Sequence, residues 1–212
     1  MIPMMTEKEK AAAGLFYDSA LKFFEKERHR AKNLYHKYNT CKPTNFKKRN
    51  KIIKKLFGKT GKKFLIEQPF YCDYGYNIEI GNNFFANMNC VMLDGAKIKF
   101  GNNVLIGPNV GFYGTGHPLD IELRNSFIEY SYPITVGNNV WIGGSVSVRP
   151  GVTIGDNVVI GTGSVVTRDI PSNSIAYGNP CRVVRKIDPE EVKLKEKYFK
   201  KLTKEEFKNG IY

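Results

Sequence analysis

The chain has 212 residues, 42% hydrophobic and 25% charged, with 33 Lys and Arg against 20 Asp and Glu for a formal net charge of +13. That length holds one sizeable core or two small ones, and no apolar run comes near the roughly 18 residues of a membrane span, so a membrane role is set aside. The positive excess is concentrated in residues 47–63 and after Arg182 without the aromatic interleaving of a nucleic-acid reader, which points instead to a basic surface that steers a small anionic ligand.

Thr6 and Glu9 form a capping-box pattern and open a first helix whose face carries Ala11, Leu15 and Phe16. No basic segment followed by an apolar stretch precedes it, so no secretory signal is read and the cytoplasm is the expected location. A second helix is expected over 19–38, with Leu21, Phe24, Ala31, Leu34 and Tyr38 on its buried stripe. Pro43 and Thr44 start a third, carrying Ile52, Ile53, Leu56 and Phe57, and Gly58 supplies its stop. Residues 1–60 thus read as a small helical cap. His29 and His36 share a face of the second helix, but helical ligand pairs favour four-residue spacing, and no metal is expected.

From Ile78 onward a six-residue period replaces the helical one. Val136, Ile142, Val148, Ile154, Ile160 and Val166 fall on one phase, and Val140, Val146, Val152, Val158 and Ser164 fall two residues earlier. Gly137, Gly143, Gly155 and Gly161 follow the first phase. Upstream the pattern recurs through Ile80, Ala86, Met92 and Ile98, then slips by two residues to Phe100, Ile106 and Phe112. A unit this short buries its two inward side chains only by stacking on the next coil, the signature of a β-solenoid over 61–187. Three units make a coil of about 18 residues, which predicts that Cys72 and Cys90 stack as a close pair of reduced thiols inside the prism. Cys41 and Cys181 complete the set, at spacings that match no zinc site.

The period breaks at "GFYGTGHPLD", residues 111–120, and resumes after Pro133. The segment 114–133 is expected to leave the coil as a loop carrying His117. The final residues, 188–212, read as a charged helical tail.

The aliphatic-Gly repeat, "TGHP" at 115–118, "NNVWIGG" at 138–144, "GNPCRVVRKI" at 178–187 and "LFYDS" at 15–19 together resemble the hexapeptide-repeat acyltransferases, in the maltose and galactoside O-acetyltransferase branch. The resemblance implies a left-handed parallel β-helix and a homotrimer with acetyl-CoA and a sugar acceptor meeting between subunits. It implies His117 as general base, acting directly on an acceptor hydroxyl, with 6-OH transfer to maltose, glucose or a galactoside as the expected reaction. An imidazole can take that proton and pass it to the departing thiolate. Glu122, Glu129 or a backbone carbonyl would orient the ring. Acceptor positions match Asp18, Asp73 and Asn87, with Asp73 standing where serine is common; "LDG" at 93–95 keeps only the first acid of an Asp-Asp pair, and Asp94 is added as a carboxylate expected to reach the cleft. Cofactor positions match Trp141, Gly144, Thr162, Thr167, Arg168, Arg182 and Arg185, with the Gly144 amide as oxyanion donor. Two other readings stay open from sequence: an acetyltransferase for a non-sugar alcohol or antibiotic, and a catalytically silent scaffold.

Overall fold

The computed structural model describes residues 5–188 and 190; the charged tail expected over 188–212 lies, apart from Asp188 and Glu190, outside the described residues. Thr6 Oγ1 accepts the Glu9 N–H at 3.3 Å while Glu9 Oε2 accepts the Thr6 N–H at 2.7 Å, which starts α1 (Glu7–Ala12). Gly14 then turns the chain at φ +74°, so α1 ends early. Leu15 and Phe16 fall beyond it and are exposed, not on a buried helical face. α2 (Lys22–Asn39) buries Phe24, Ala31 and Tyr38; Leu21 precedes it and is exposed. α3 (Phe46–Leu56), capped by Asn45 Oδ1 on the Lys48 N–H at 3.1 Å, buries Arg49, Ile53 and Leu56. Gly58 is not a left-handed stop. A Cβ there would lie 2.2 Å from Tyr76 O, so its role is to let the chain pass close to the first coil.

The rest winds into a three-sided parallel coil. The first face holds Phe64–Ile66, Phe84–Ala86, Leu105–Ile106, Trp141–Ile142, Val158–Ile160 and Ser174–Tyr177, and an antiparallel strand, Arg182–Lys186, ends it. The second face runs Phe70–Cys72, Cys90–Leu93, Gly111–Tyr113, Ser147–Val148 and Val165–Val166; the third runs Ile78–Glu79, Ile98–Phe100, Ile134–Val136 and Thr153–Ile154. Burial alternates along each strand, with inward residues forming one continuous core. Phe84, Phe100 and Phe112 fill the early coils, with centroids 5.1 and 4.9 Å apart, and Val and Ile fill the later ones.

The repeated Gly-Asn corners follow from this stacking. Asn82 Oδ1 accepts the Lys62 N–H at 2.7 Å and Asn102 Oδ1 the Asn82 N–H at 2.8 Å, so each coil caps a backbone donor of the one before. The next asparagine adopts a left-handed turn (Asn83, φ 52°; Asn103, φ 58°; Asn139, φ 57°), a conformation its short polar side chain tolerates, and Asn103 Nδ2 donates to Asn139 Oδ1 at 2.9 Å.

These corner bonds also measure the coil. They join residues 20 apart in the first coils, 36 apart across the 114–133 segment, then 18 and 16 apart. The early coils are thus longer than the hexad arithmetic implies. Cys72 aligns with Met92, and Cys90 aligns with Phe70, so the two thiols are not stacked partners. All four cysteines are buried and free, and burial pushes the Cys90 thiol up to about 12.

Arg49, 2% exposed, fastens the helices to the first coil. Its guanidinium donates to Pro43 O (2.7 Å), Ile66 O and Glu67 Oε2 (3.1 Å), and Tyr38 also bonds to Ile66 O. Removing a buried cation leaves these acceptors without donors. Arg49→Ala is expected to cost about 3 kcal/mol in denaturant unfolding; a loss under about 1 kcal/mol would show that the helices are held by apolar contacts alone.

Candidate active site

The two extra residues of the early coils sit at one corner. Between the second and third faces the inward residues are Cys72 and Ile78, then Met92 and Ile98, whereas higher up they are Val148 and Val152. In the intervening coil the same corner opens to release the 114–133 segment. All departures from the hexad therefore stack along a single edge.

That segment is an arm, not an irregular loop. Thr115–Gly116 pairs antiparallel with Tyr130–Ser131, and α4 (Ile121–Asn125), capped by Asp120 on the Leu123 N–H at 2.9 Å, occupies the tip. The other edge of Ile128–Ser131 pairs with Tyr17–Asp18, so one three-stranded sheet stitches the cap to the arm. Gly95 lets the arm dock: a Cβ there would lie 2.2 Å from Ser131 Oγ and 2.4 Å from Thr115 Oγ1.

His117 follows the paired Gly116 and is exposed, with Nδ1 3.0 Å from Ile128 O. Of the orienting groups considered from sequence, the backbone carbonyl is the one in contact. Glu129 instead accepts from the Tyr17 hydroxyl at 2.7 Å. Because a carbonyl only accepts, this bond requires the proton on Nδ1 and leaves the neutral ring's lone pair on Nε2.

Beside the arm lies a cavity of about 340 Å³ lined by Ser19, Arg28, Asp73, Tyr74, Phe127 and Glu129. Arg28 donates to Ser19 O (3.0 Å) and to the Tyr74 hydroxyl (3.1 Å). Burial, then the Glu129 charge, push the Asp73 carboxyl up to about 6, against the pull of Arg28 and Lys32. Asp18 borders this edge and its carboxylate accepts the Ala20 N–H at 2.9 Å. Arg28, Tyr74 and Glu129 as cavity walls are not apparent from the sequence motifs; the two-residue phase slip marks the edge on which they converge.

Asp94 departs from expectation. It is 0% exposed and does not reach the cavity as an acceptor ligand; its Oδ1 accepts the N–H of Asp73 (3.1 Å) and Tyr74 (2.9 Å), and its Oδ2 that of Asn77 (3.3 Å). Burial, partly offset by these donors, raises its carboxyl to about 8.

The cofactor candidates are divided: Thr167 and Arg168 lie on the same edge as Asp73, at the far end of the coil, and the others lie elsewhere. Gly144 and Thr162 stack on the corner between the first and second faces, where Gly144 O accepts the Gly163 N–H at 2.9 Å. Among the described residues no protein acceptor takes the Gly144 N–H. Asn87 lies on the same corner in an earlier coil, and Trp141, 56% exposed, stands outward on the first face. Arg182 and Arg185 lie on the antiparallel end strand, and Thr167 and Arg168 follow the last strand of the second face. Thus Asp18, Asp73 and His117 share one edge of the prism, whereas Asn87, Gly144 and Thr162 share another.

Family models match at both ends of this architecture: a maltose acetyltransferase hexapeptide capping motif over residues 10–61 and a bacterial transferase hexapeptide over 133–168. The chain is 46% identical over 196 residues to galactoside O-acetyltransferase of Escherichia coli, covering 92% of this chain and 95% of that one. It is 55% identical over 175 residues to a putative acetyltransferase of Saccharomyces cerevisiae, covering 82% and 88%. Among solved structures, a maltose O-acetyltransferase from Clostridium difficile superposes with a TM-score of 0.85 at 53% identity, covering 87% of this chain and 98% of that one. A galactoside acetyltransferase in complex with coenzyme A gives 0.86 at 46% identity, covering 89% and 94%. A helical cap stitched to a hexapeptide coil, with this degree of identity over nearly the whole described length, places the chain in the hexapeptide-repeat acetyltransferase family, in the maltose and galactoside O-acetyltransferase branch.

Proposed function

We propose that the protein transfers an acetyl group from acetyl-CoA to a sugar hydroxyl, the 6-OH of a maltose, glucose or galactoside type of acceptor, with His117 as general base. The observation that carries this reading is the 3.0 Å contact between His117 Nδ1 and Ile128 O. It leaves Nε2 free to take the hydroxyl proton as the oxygen attacks the thioester carbonyl, and to return it to the departing thiolate. The thioester is already activated, so no covalent enzyme intermediate is needed.

Two edges of one prism cannot close on one another, which supports an active site completed between copies. The outward residues of the first face include Leu65, Phe85, Leu105 and Trp141, whereas those of the third are Glu79, Lys99, Thr135 and Thr153. An apolar face beside a polar one suits a trimer packed through the former. In that assembly the arm of one copy approaches the corner of its neighbour, where the Gly144 N–H is available to an oxyanion. Arg168, Arg182 and Arg185 supply cations for the phosphates of CoA, and Thr162, Thr167 and Trp141 flank the rest. On the acceptor side, Asp18, Asp73 and Asn87 suit paired sugar hydroxyls.

With thiol release from acetyl-CoA as the assay, His117→Ala is expected to lower kcat by about 10²–10⁴-fold, with KM for acetyl-CoA little changed. A variant within about threefold of the native rate would fall outside any general-base role. The Asp73 carboxyl, ionised above about 6, accepts hydroxyl bonds only in that form through both oxygens. KM for the sugar is therefore expected to rise as pH falls through about 6, and Asp73→Asn to abolish that dependence; the same pH profile in both proteins would exclude Asp73 as an acceptor ligand.

A further inference from the structure

The widened corner carries a reciprocal clasp. Asp94, from the second coil, takes the N–H groups of Asp73, Tyr74 and Asn77 from the first, and Asn77 Nδ2 donates back to Asp94 O at 2.8 Å. The clasp holds the turn 73–77, whose N-terminal part forms the cavity wall. Tyr74 faces Arg28 and Asp73 faces the Glu129 charge, while Ile128, adjacent to Glu129, holds His117. A turn of five residues projecting from a coil has few backbone partners of its own. Without Asp94 three donors would face a buried, acceptor-poor interior.

The geometry points to Asp94 as a positioning residue of the acceptor site, which fixes Asp73 and Tyr74 against the arm through their backbone amides and touches no substrate itself. The inference rests on the acetyl-transfer reading for its kinetic consequence, but not for its structural one. A residue that only stabilised the fold would affect both substrates together. Asp94 lies under the acceptor cavity and is remote in the coil from the Gly144 corner, so its loss falls on one substrate. Its carboxyl is also enclosed by backbone donors and not by cations, so an acceptor atom matters more here than a charge.

Asp94→Ala is expected to raise KM for the sugar about 10- to 100-fold while KM for acetyl-CoA stays within about twofold. Asp94→Asn keeps one oxygen for the Asp73 and Tyr74 amides and should recover most of that loss. Asn77→Ala, at a half-buried position, removes the return bond to Asp94 O and the longer contact to Gly95 O (3.4 Å) but leaves the three amides on Asp94, and carries the test if Asp94→Ala does not fold; a smaller rise in sugar KM alone is expected. Amide hydrogen exchange reads the clasp without any acceptor: protection at Asp73, Tyr74 and Asn77 should fall by about 10-fold or more in the variants. The Asp73 carboxyl should move from about 6 towards its ordinary range as water enters. Unchanged protection at the three amides, or equal rises in KM for both substrates, overturns the assignment. If the native protein acetylates no sugar, the function proposed above fails, and exchange and the Asp73 titration still decide the role of Asp94.

Discussion

Strands of two to four residues have no stability alone: each backbone donor and each inward side chain finds its partner only in the coil before or after. That dependence makes the prism regular and dictates where it can depart from regularity. A corner can lengthen or open only if something else satisfies the amides it frees. In the early coils Asp94 and Asn77 do so, and in the third the arm does so by pairing with itself and with Tyr17–Asp18. The cavity and His117 lie where the ladder is interrupted, because there side chains can converge away from the flat faces.

The same geometry divides the chemistry. One edge offers carboxylates, a restrained imidazole and a partly enclosed cavity; another offers a backbone donor, and exposed arginines stand on the end strand of the first face. The buried carboxyls differ in role through their surroundings. Asp73 retains a wall on the cavity, whereas Asp94 spends its acceptor capacity on backbone amides.

Much of the fold is legible in the sequence because stacking imposes a period that each coil repeats. The inward series from Val136 to Val166, the capping box at Thr6 and Glu9, and the helices around Phe24 and Ile53 all appear as read. What the period conceals is the meaning of its two-residue slip. The slip lengthens the early coils, which aligns Cys72 with Met92, and it builds the corner that buries Asp94. Leu15 and Phe16 mislead because apolar spacing persists past the turn at Gly14. Glu129 and Arg28 are invisible as cavity partners, since strand pairing with Tyr17, more than a hundred positions away, places the first, and packing of α2 against the first coil places the second.

The arm fixes the tautomer of one imidazole, through Ile128 O on His117 Nδ1. Nitrogen-15 chemical shifts of the His117 ring, recorded at alkaline pH where imidazoles are neutral, test it directly. With Ile128 O as acceptor, the ring is expected to carry its proton on Nδ1 and none on Nε2, the Nδ1 proton exchanging slowly. A ring carrying its proton on Nε2, or averaging between the two nitrogens, would contradict it.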